Sequence, residues 1–304
     1  MAEEERPDDP MGVASTPWTP PSSPAPGPLL WGREGRAGGT GVILLLCGSF
    51  NPVTRAHLAL VAHGAAALPG GGDADLPCAG AVLSPVHDAY GKPGLAPGTE
   101  RVAMCRLAAD ACGGAMPVGG GAAVPVVVDA WEATQDGYST TLDVLRRVRD
   151  ATNGALERER TGRVRRGLDG RAGLFDHYRV MLLCGEDLLA SFLAPGVWVE
   201  AHVREILSDE FGLVCVARAD EGAEGSSLGR LEQMVLDNEL LLGARNNLRC
   251  VPGGGPSLDG VSSTRVRRIL RQVAPAAPLP ETLLELVEPA VARHALSLGL
   301  YAAD

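Results

Sequence analysis

Apolar residues in this chain come in short runs, each closed by glycine, proline or a polar turn and followed by a longer stretch at helical spacing. The run GVILLLC, residues 41–47, is continuous rather than alternating, as in a strand buried on both faces. A glycine turn, GSFNP, follows it, and then TRAHLALVAHGAAAL, whose apolar positions fit one face of a helix. Four further runs read as strands: AGAVLSP at 79–85, VPVVVDA at 124–130, VMLLCG at 180–185 and GLVCVAR at 212–218. Helical stretches separate them. This alternation predicts an α/β fold, a doubly wound parallel sheet with helices on both faces and its ligand outside the carboxyl ends of the strands.

Two stretches break the alternation. Residues 1–40 read as a disordered tail, because the first 38 positions hold eight of the 23 prolines with many Gly and Ser and no period. Residues 41–304 then form one domain. Residues 146–171 carry nine Arg and four acids, a balance of +5. The segment 151–176 is therefore read as an exposed, Arg-rich inserted loop, either simply solvated or carrying a sorting or nucleic-acid signal. Neither the tail nor this loop is expected to change turnover by more than a few-fold.

Composition narrows what the domain can meet. Acidic side chains number 37 against 27 basic ones, a net charge of −10. Such a surface does not coat nucleic acid or an anionic membrane, so neither is expected as a partner and a charged ligand must be met locally. The longest apolar runs, five to eight residues, fall far short of the ~20 needed to cross a bilayer. The opening MAEEERPDD is acidic where secretory and organellar leaders are not, so an intracellular site, cytoplasm and/or nucleus, is expected. Seven cysteines, an odd number with no CxxC pair, read as reduced thiols rather than disulfides or zinc ligands. No metal-ligand spacing is found, and His63, His87, His177, His202 and His294 read as bland. Among the 27 basic side chains the single lysine is Lys92, which leaves 26 Arg. Where Arg has become the default cation, a surviving ammonium is either left over or kept for a task that a planar fork cannot do.

The chemistry concentrates in GSFNPVTRAHL, residues 48–58. Gly48 and Ser49 close the first strand, and Thr54 and His57 fall in the first turn of the following helix. Backbone amides of such a turn, backed by the positive end of a helix, hold phosphate oxygens, and His57 would face the same charge as a donor. The string is neither a P-loop nor a dinucleotide GxGxxG. In VSSTRVRRILRQ, Ser262 or Ser263 is a natural N-cap, with Arg267 one turn into a basic helix. Asp187, two residues beyond strand-end Gly185, is placed either to accept from a ribose or adenine or to cap the next helix. Arg218 ends the fifth run facing the same cleft, where it suits a phosphate.

GSFNPVTRAHL resembles the (H/T)xxH signature of the nucleotidyltransferase alpha/beta-phosphodiesterase superfamily, in the form taken by its nicotinamide mononucleotide adenylyltransferase branch. SPVHDAYGKPGL (84–95), VDAWEATQDGYSTTLDVL (128–145), VMLLCGEDLLASFLAPGVW (180–198), GLVCVAR and VSSTRVRR follow in that family's order. The wording is nearest to eukaryotic members, those of plants and algae especially. The resemblance implies a Rossmann-like doubly wound sheet with C-terminal helices. It implies that ATP is held by Gly48, Ser49, Phe50, His57, Lys92, Gly185, Asp187, Ser263, Thr264, Arg265 and Arg267. Lys92 matches the middle of a KKKGL stretch whose outer lysines are here Gly91 and Pro93, which thins the local positive field. For the mononucleotide it implies Ser49, Tyr90, Tyr138, Thr141, Trp198 and Arg218, with the pyridine ring stacked between Trp198 and Tyr138. Trp131 reads as core packing.

The implied reaction is attack of the mononucleotide 5′-phosphate on the α-phosphorus of ATP, with His57, Lys92 and Arg267 as the catalytic groups meeting the departing pyrophosphate. Mg²⁺ would travel on the ATP phosphates, with no protein ligand named. Nicotinate mononucleotide is expected to serve beside the nicotinamide form, and a homo-oligomer is left open. Two other readings share part of the pattern: another nucleotidyltransferase of the superfamily, which should lack the Tyr138, Thr141 and Trp198 set, and a non-catalytic or chaperone-like nucleotide-binding module, which should have lost His57 or Lys92.

Overall fold

A computed structural model describes residues 38–68, 76–119, 122–167, 175–217, 227–253 and 260–302. In chain order the elements are β1 (Thr40–Gly48), α1 (Arg55–Ala67), β2 (Cys78–Pro85), α2 (Gly98–Ala111), β3 (Ala115–Gly119), β4 (Ala122–Val128), α3 (Thr141–Arg165) and β5 (His177–Gly185). They continue as α4 (Glu186–Phe192), α5 (Glu200–Ile206), β6 (Leu213–Val216), α6 (Ser227–Leu236), α7 (Glu239–Gly243), β7 (Leu248–Val251), α8 (Ser263–Leu270), α9 (Glu281–Leu284) and α10 (Pro289–Ser297).

The strands form one sheet in the order β3-β4-β2-β1-β5-β6-β7, parallel except for the β3–β4 pair. The chain starts in the middle, builds outward through β2 and β4, and returns to add β5, β6 and β7 on the other side of β1. The order therefore reverses between β1 and β5, the place where a doubly wound sheet opens a ligand crevice. Val42 to Leu46 of β1 are all buried, because Val42, Leu44 and Leu46 pack toward α1, α2, α8 and α10 while Ile43 and Leu45 face α3 to α7. Two apolar layers need a strand that is apolar throughout, as the first run is.

Helix α1 buries Leu58, Val61, Gly64 and Ala65 against the sheet. Gly64 is needed there: a Cβ at this position would lie 2.6 Å from Leu183 Cδ1 of β5. This close approach aims the N-terminus of α1 over the carboxyl end of β1. The C-terminal helices hold it from outside, since the carbonyls of Leu284 and Leu286 accept from Nε and the backbone N–H of Arg55, whose guanidinium also pairs with Glu288 at 3.0 Å.

Three features depart from the sequence reading. The Arg-rich segment is not a loop over 151–165, because α3 runs through it to Arg165. Thr152, Ala155 and Leu156 extend the buried face of Val148 at helical spacing, and Asn153 bonds both the N–H and the C=O of Tyr178, at 2.9 Å each. The arginines are accommodated by nearby acids, as in Arg163–Glu159 one turn apart at 3.1 Å. Residues 168–174 of that segment lie outside the described residues, as do residues 1–37 of the tail. Secondly, β7 was not anticipated: LRCV is four residues long with an Arg inside it. Thirdly, β3, with Pro117 and Gly119, sits at the sheet edge, the place where a strand tolerates a missing N–H.

Among the described residues no helix is long and apolar enough to cross a membrane. All seven cysteines are free thiols, with Cys105, Cys184 and Cys215 buried and the other four half-buried.

Candidate active site

Gly48, Ser49 and Phe50 leave β1 at the switch point and turn sharply. Phe50 has φ +41°, a left-handed backbone that a bulky side chain holds only when its surroundings insist. Here the ring is buried and meets His57 edge-on, with centroids 5.1 Å apart. The Asn51–Pro52 peptide is cis. Asn51, 1% exposed, ties the turn to the loop that carries Lys92: its amide donates to Gly94 O at 2.8 Å and its Oδ1 accepts from Ala96 N at 3.0 Å.

Beneath the turn sits Arg101, fully buried on α2. Its guanidinium donates to Ala96 O at 2.7 Å, Ser49 O at 3.0 Å, Val86 O at 2.7 Å and Asp88 Oδ1 at 2.7 Å. One side chain thus fastens the ends of β1 and β2 and the start of α2. Asp88 also accepts from Gly98 N at 3.1 Å. Partial burial would raise the Asp88 pKa, but the Gly98 amide and the Arg101 guanidinium outweigh it and hold the carboxyl below its ordinary range. Sequence reasoning missed Arg101. The signal was there, since Arg101 falls in phase with buried Met104, Cys105 and Ala108 on the apolar face of α2.

Thr54 caps α1, and its backbone N–H donates to His57 Nδ1 at 2.9 Å, with its hydroxyl 2.8 Å from the same nitrogen. A nitrogen that accepts an amide N–H carries no proton, so the neutral ring keeps its hydrogen on Nε2 as a donor. Burial first, and the Lys92 ammonium with it, lower the His57 pKa to about 4. The imidazole is therefore a neutral donor at physiological pH. Lys92 is exposed, and among the described residues no carboxylate pairs with it.

Helix α8 closes over this turn from the C-terminal part of the chain. Ser262 is its N-cap, accepting from Arg265 N at 3.2 Å. Ser263 turns its hydroxyl to Pro52 O at 2.8 Å, and Arg267 donates to Asn51 O at 2.7 Å and Thr264 Oγ1 at 3.2 Å. Arg265 reaches Gly260 O at 3.4 Å. The Ser263 hydroxyl and one Arg267 nitrogen, expected on phosphate, bind the turn after β1 here. The amides at the start of α8 and the rest of the guanidinium remain beside it.

At the other end of the crevice Tyr90 and Tyr138 face each other, ring centroids 6.4 Å apart and planes 21° from parallel. Trp198 turns its edge to Phe192, ring centroids 4.6 Å apart, and donates from Nε1 to Ser191 Oγ at 2.9 Å, so its orientation is set by α4 and the loop after it. Thr141 opens α3 behind Tyr138, after the Thr140–Asp143 capping box. Gly185 caps α4, and Asp187 is exposed in the first turn of that helix. Arg218 lies outside the described residues.

Between the two ends lies an acidic group that the sequence reading did not use. Glu132, 3% exposed, accepts from the Ser84 hydroxyl at 2.7 Å at the end of β2. Buried Asp129 accepts from Trp131 N at 3.0 Å. Burial raises the Glu132 pKa to about 7 against the opposing Ser84 bond and Arg101 charge, with Asp129 adding to the rise. Tyr138 is half-buried, and its phenol is raised by burial first and then by the charges of Glu132, Tyr90, Cys47 and Asp143. Trp131 is buried, with the Arg147 guanidinium 5.7 Å from its ring centroid.

The site joins an amide-rich turn, one neutral imidazole donor and cations from two directions to a pair of facing tyrosine rings. That suits binding and charge stabilisation of a phosphorylated aromatic molecule. Among the described residues no three His, Cys, Asp or Glu side chains gather as metal ligands.

No family model matches the chain. Among curated proteins it is 36% identical over 243 residues to the nicotinamide/nicotinic acid mononucleotide adenylyltransferase of Oryza sativa subsp. japonica, covering 79% of this chain and 80% of the relative. The Arabidopsis thaliana protein of the same description is 34% identical over 233 residues, covering 76% and 80%. Among solved structures, the Plasmodium falciparum nicotinic acid mononucleotide adenylyltransferase complexed with NaAD matches with a TM-score of 0.53 at 12% identity, covering 86% of this chain and 97% of that one. At that identity the match speaks for the fold.

Proposed function

The chain belongs to the nicotinamide/nicotinic acid mononucleotide adenylyltransferases, and from that premise we propose how its own residues carry out adenylyl transfer. The protein transfers the adenylyl group of ATP to nicotinamide mononucleotide or nicotinate mononucleotide, forming NAD or deamido-NAD and pyrophosphate, a step of NAD biosynthesis. The observation that carries the residue assignment is the phosphate turn of β1–α1, held from below by Arg101 and from above by Ser263 and Arg267.

In this reading the ATP phosphates lie on the amides of Gly48, Ser49 and Phe50 and at the start of α8, where Ser263, Thr264, Arg265 and Arg267 converge. Gly185 and Asp187, at the end of the neighbouring strand, take the adenosine. The mononucleotide lies across the switch point, its ring at Tyr138 with Tyr90, Thr141 and Trp198 around it. A 5′-phosphate oxygen attacks the α-phosphorus in line, the bond to the bridging oxygen of pyrophosphate breaks, and pyrophosphate leaves with the electron pair. His57 donates from Nε2 to the phosphate oxygens as charge builds, without itself giving up its proton. Lys92 and Arg267 neutralise the departing group. No covalent intermediate is needed, so the rate comes from alignment and preorganised charge. A divalent metal, Mg²⁺ in our reading, would be held by the nucleotide phosphates, since no ligand nest gathers among the described residues; it would supply charge neutralisation.

The test is direct. Pure protein given ATP, Mg²⁺ and nicotinamide mononucleotide should yield NAD and pyrophosphate in equal amounts. NAD no greater than in a heat-killed control would sink the assignment.

A further inference from the structure

Among the described residues two that are not glycine carry a left-handed backbone: Phe50, in the turn after β1, and Tyr301, beyond α10 at φ +67°. A bulky side chain takes that conformation only when its surroundings insist. The chain leaves α10 through Gly299, at φ +63°, with the Leu300 N–H bonded back to Ala295 O at 2.9 Å. This reversal brings Tyr301 against α8, where its carbonyl accepts from Arg271 Nε at 3.1 Å. Its ring packs against the core layer that includes Val266 and Leu270 of α8 and Met104 and Cys105 of α2. The hydroxyl is buried without a partner, so the ring and the carbonyl make the attachment.

These contacts close a circuit around the turn after β1. From below, Arg101 of α2 donates to Ser49 O at 3.0 Å. Glu100, the residue before it, meets His294 Nε2 of α10 at 2.8 Å, which ties α10 to the helix under the turn. From above, Arg267 of α8 donates to Asn51 O at 2.7 Å. Arg271 lies one turn further along the same helix, its N–H bonded to Arg267 O at 3.2 Å. Tyr301 is thus the point where α10, fixed to α2, takes hold of α8. Helix α8 needs a second hold, since it is eight residues long and buries only Val266 and Leu270. Resting on the assignment of Arg267 to the departing pyrophosphate, we propose that Tyr301 is a positioning residue for Arg267, strapping α8 to the α2–α10 side so that this guanidinium stays aligned over the turn. Burial pushes the phenol up against the opposing pull of Arg267 and Arg101, so it is neutral and the strap does not depend on its charge.

The experiment is steady-state kinetics on the full chain, at a temperature where every variant is folded, with each substrate varied in turn. Tyr301→Ala should lower kcat/KM for ATP on the order of 10- to 100-fold, as for a reacting group displaced by about 1 Å, and leave KM for the mononucleotide within about twofold. Tyr301→Phe keeps the ring and the carbonyl and should restore wild-type kinetics. In a double-mutant cycle Tyr301→Ala should add little to Arg267→Ala, because a residue that acts through Arg267 then has nothing left to position. A purely structural Tyr301 would instead multiply its loss with that of Arg267→Ala and impair the use of both substrates alike. Either of those results, wild-type kinetics in Tyr301→Ala, or a Tyr301→Phe as impaired as Tyr301→Ala would overturn the proposal. Should Tyr301→Ala not fold, Arg271→Ala cuts the anchoring bond alone and takes its place in the same cycle, with the same outcomes deciding. Normal turnover in Arg267→Ala would overturn the assignment of Arg267, and this inference with it.

Discussion

The two ends of the crevice are built in opposite ways. At the phosphate end, side chains from α2 and α8 and from the turn itself pin one loop through its backbone carbonyls: Arg101 on Ser49, Ser263 on Pro52, and Arg267 on Asn51. At the other end, Tyr90 is half-exposed and Tyr138 half-buried, and the two rings face each other with centroids 6.4 Å apart. In the proposed assignment, phosphate charge shifts during the reaction and demands donors already in place, whereas the pyridine ring is only held. The denser hydrogen bonding lies at the end where, in that assignment, charge changes.

That contrast can be broken most severely at Arg101. Arg101→Leu would leave three backbone carbonyls and Asp88 without their buried partner, at a cost of about 3 to 5 kcal/mol. Calorimetry should show a Tm lower by roughly 10 °C, together with loss of turnover; an unchanged Tm would show that the turn does not depend on its support.

His57→Ala tests the same end at a single donor. A ~100- to 1000-fold loss in kcat is expected, with KM for ATP little changed, because one preorganised donor goes while the turn amides stay. The pH dependence sharpens the point. Since the folded ring stays neutral down to about pH 4 and an unfolded one protonates near pH 6.5, the unfolded state binds more protons between these values. Stability from this group is present above pH 6.5 and lost as pH falls toward 4. His57→Ala should accordingly lose less Tm than the wild type between pH 7 and pH 5, and the wild-type kcat should show no step from this ring near pH 6.5.

At the ring end, Tyr138→Ala should raise KM for the mononucleotide by the equivalent of about 1 to 3 kcal/mol, and KM for ATP hardly at all. Trp198→Ala should do less, because its indole is engaged by Ser191 and Phe192. Equal rises for both substrates in either variant would erase the distinction between the two ends. The last test is at Lys92. Lys92→Arg keeps the charge but replaces a compact ammonium by a wider fork, displacing a bound phosphate by about 1 Å, so kcat/KM for ATP should fall at least ~10-fold at constant Tm. Wild-type kinetics there would mark the lysine as a leftover cation.

Much of this was legible in the residues themselves. Continuous apolar runs such as 41–47 can only be satisfied by burial on both faces, which predicts a sheet covered twice, and the turn and cap residues of GSFNPVTRAHL end the first strand and start the first helix where the structure has them. The extent of α3 was misread, because charge at helical spacing resembles a solvated loop until the acids that answer it are placed in space. The same limit applies within the site. Local propensity and periodicity are properties of neighbours in sequence, and they marked five of the seven strands and the starts of α1 and α8, but neither β3 nor β7. The Arg101 bond to Ser49, the Arg267 bond to Asn51, the facing of Tyr90 and Tyr138, and the Ser84 bond to Glu132 join residues 48 to 216 positions apart. Only packing decides such contacts, because a buried guanidinium or carboxylate must find whichever partners the crossing of distant elements brings within reach.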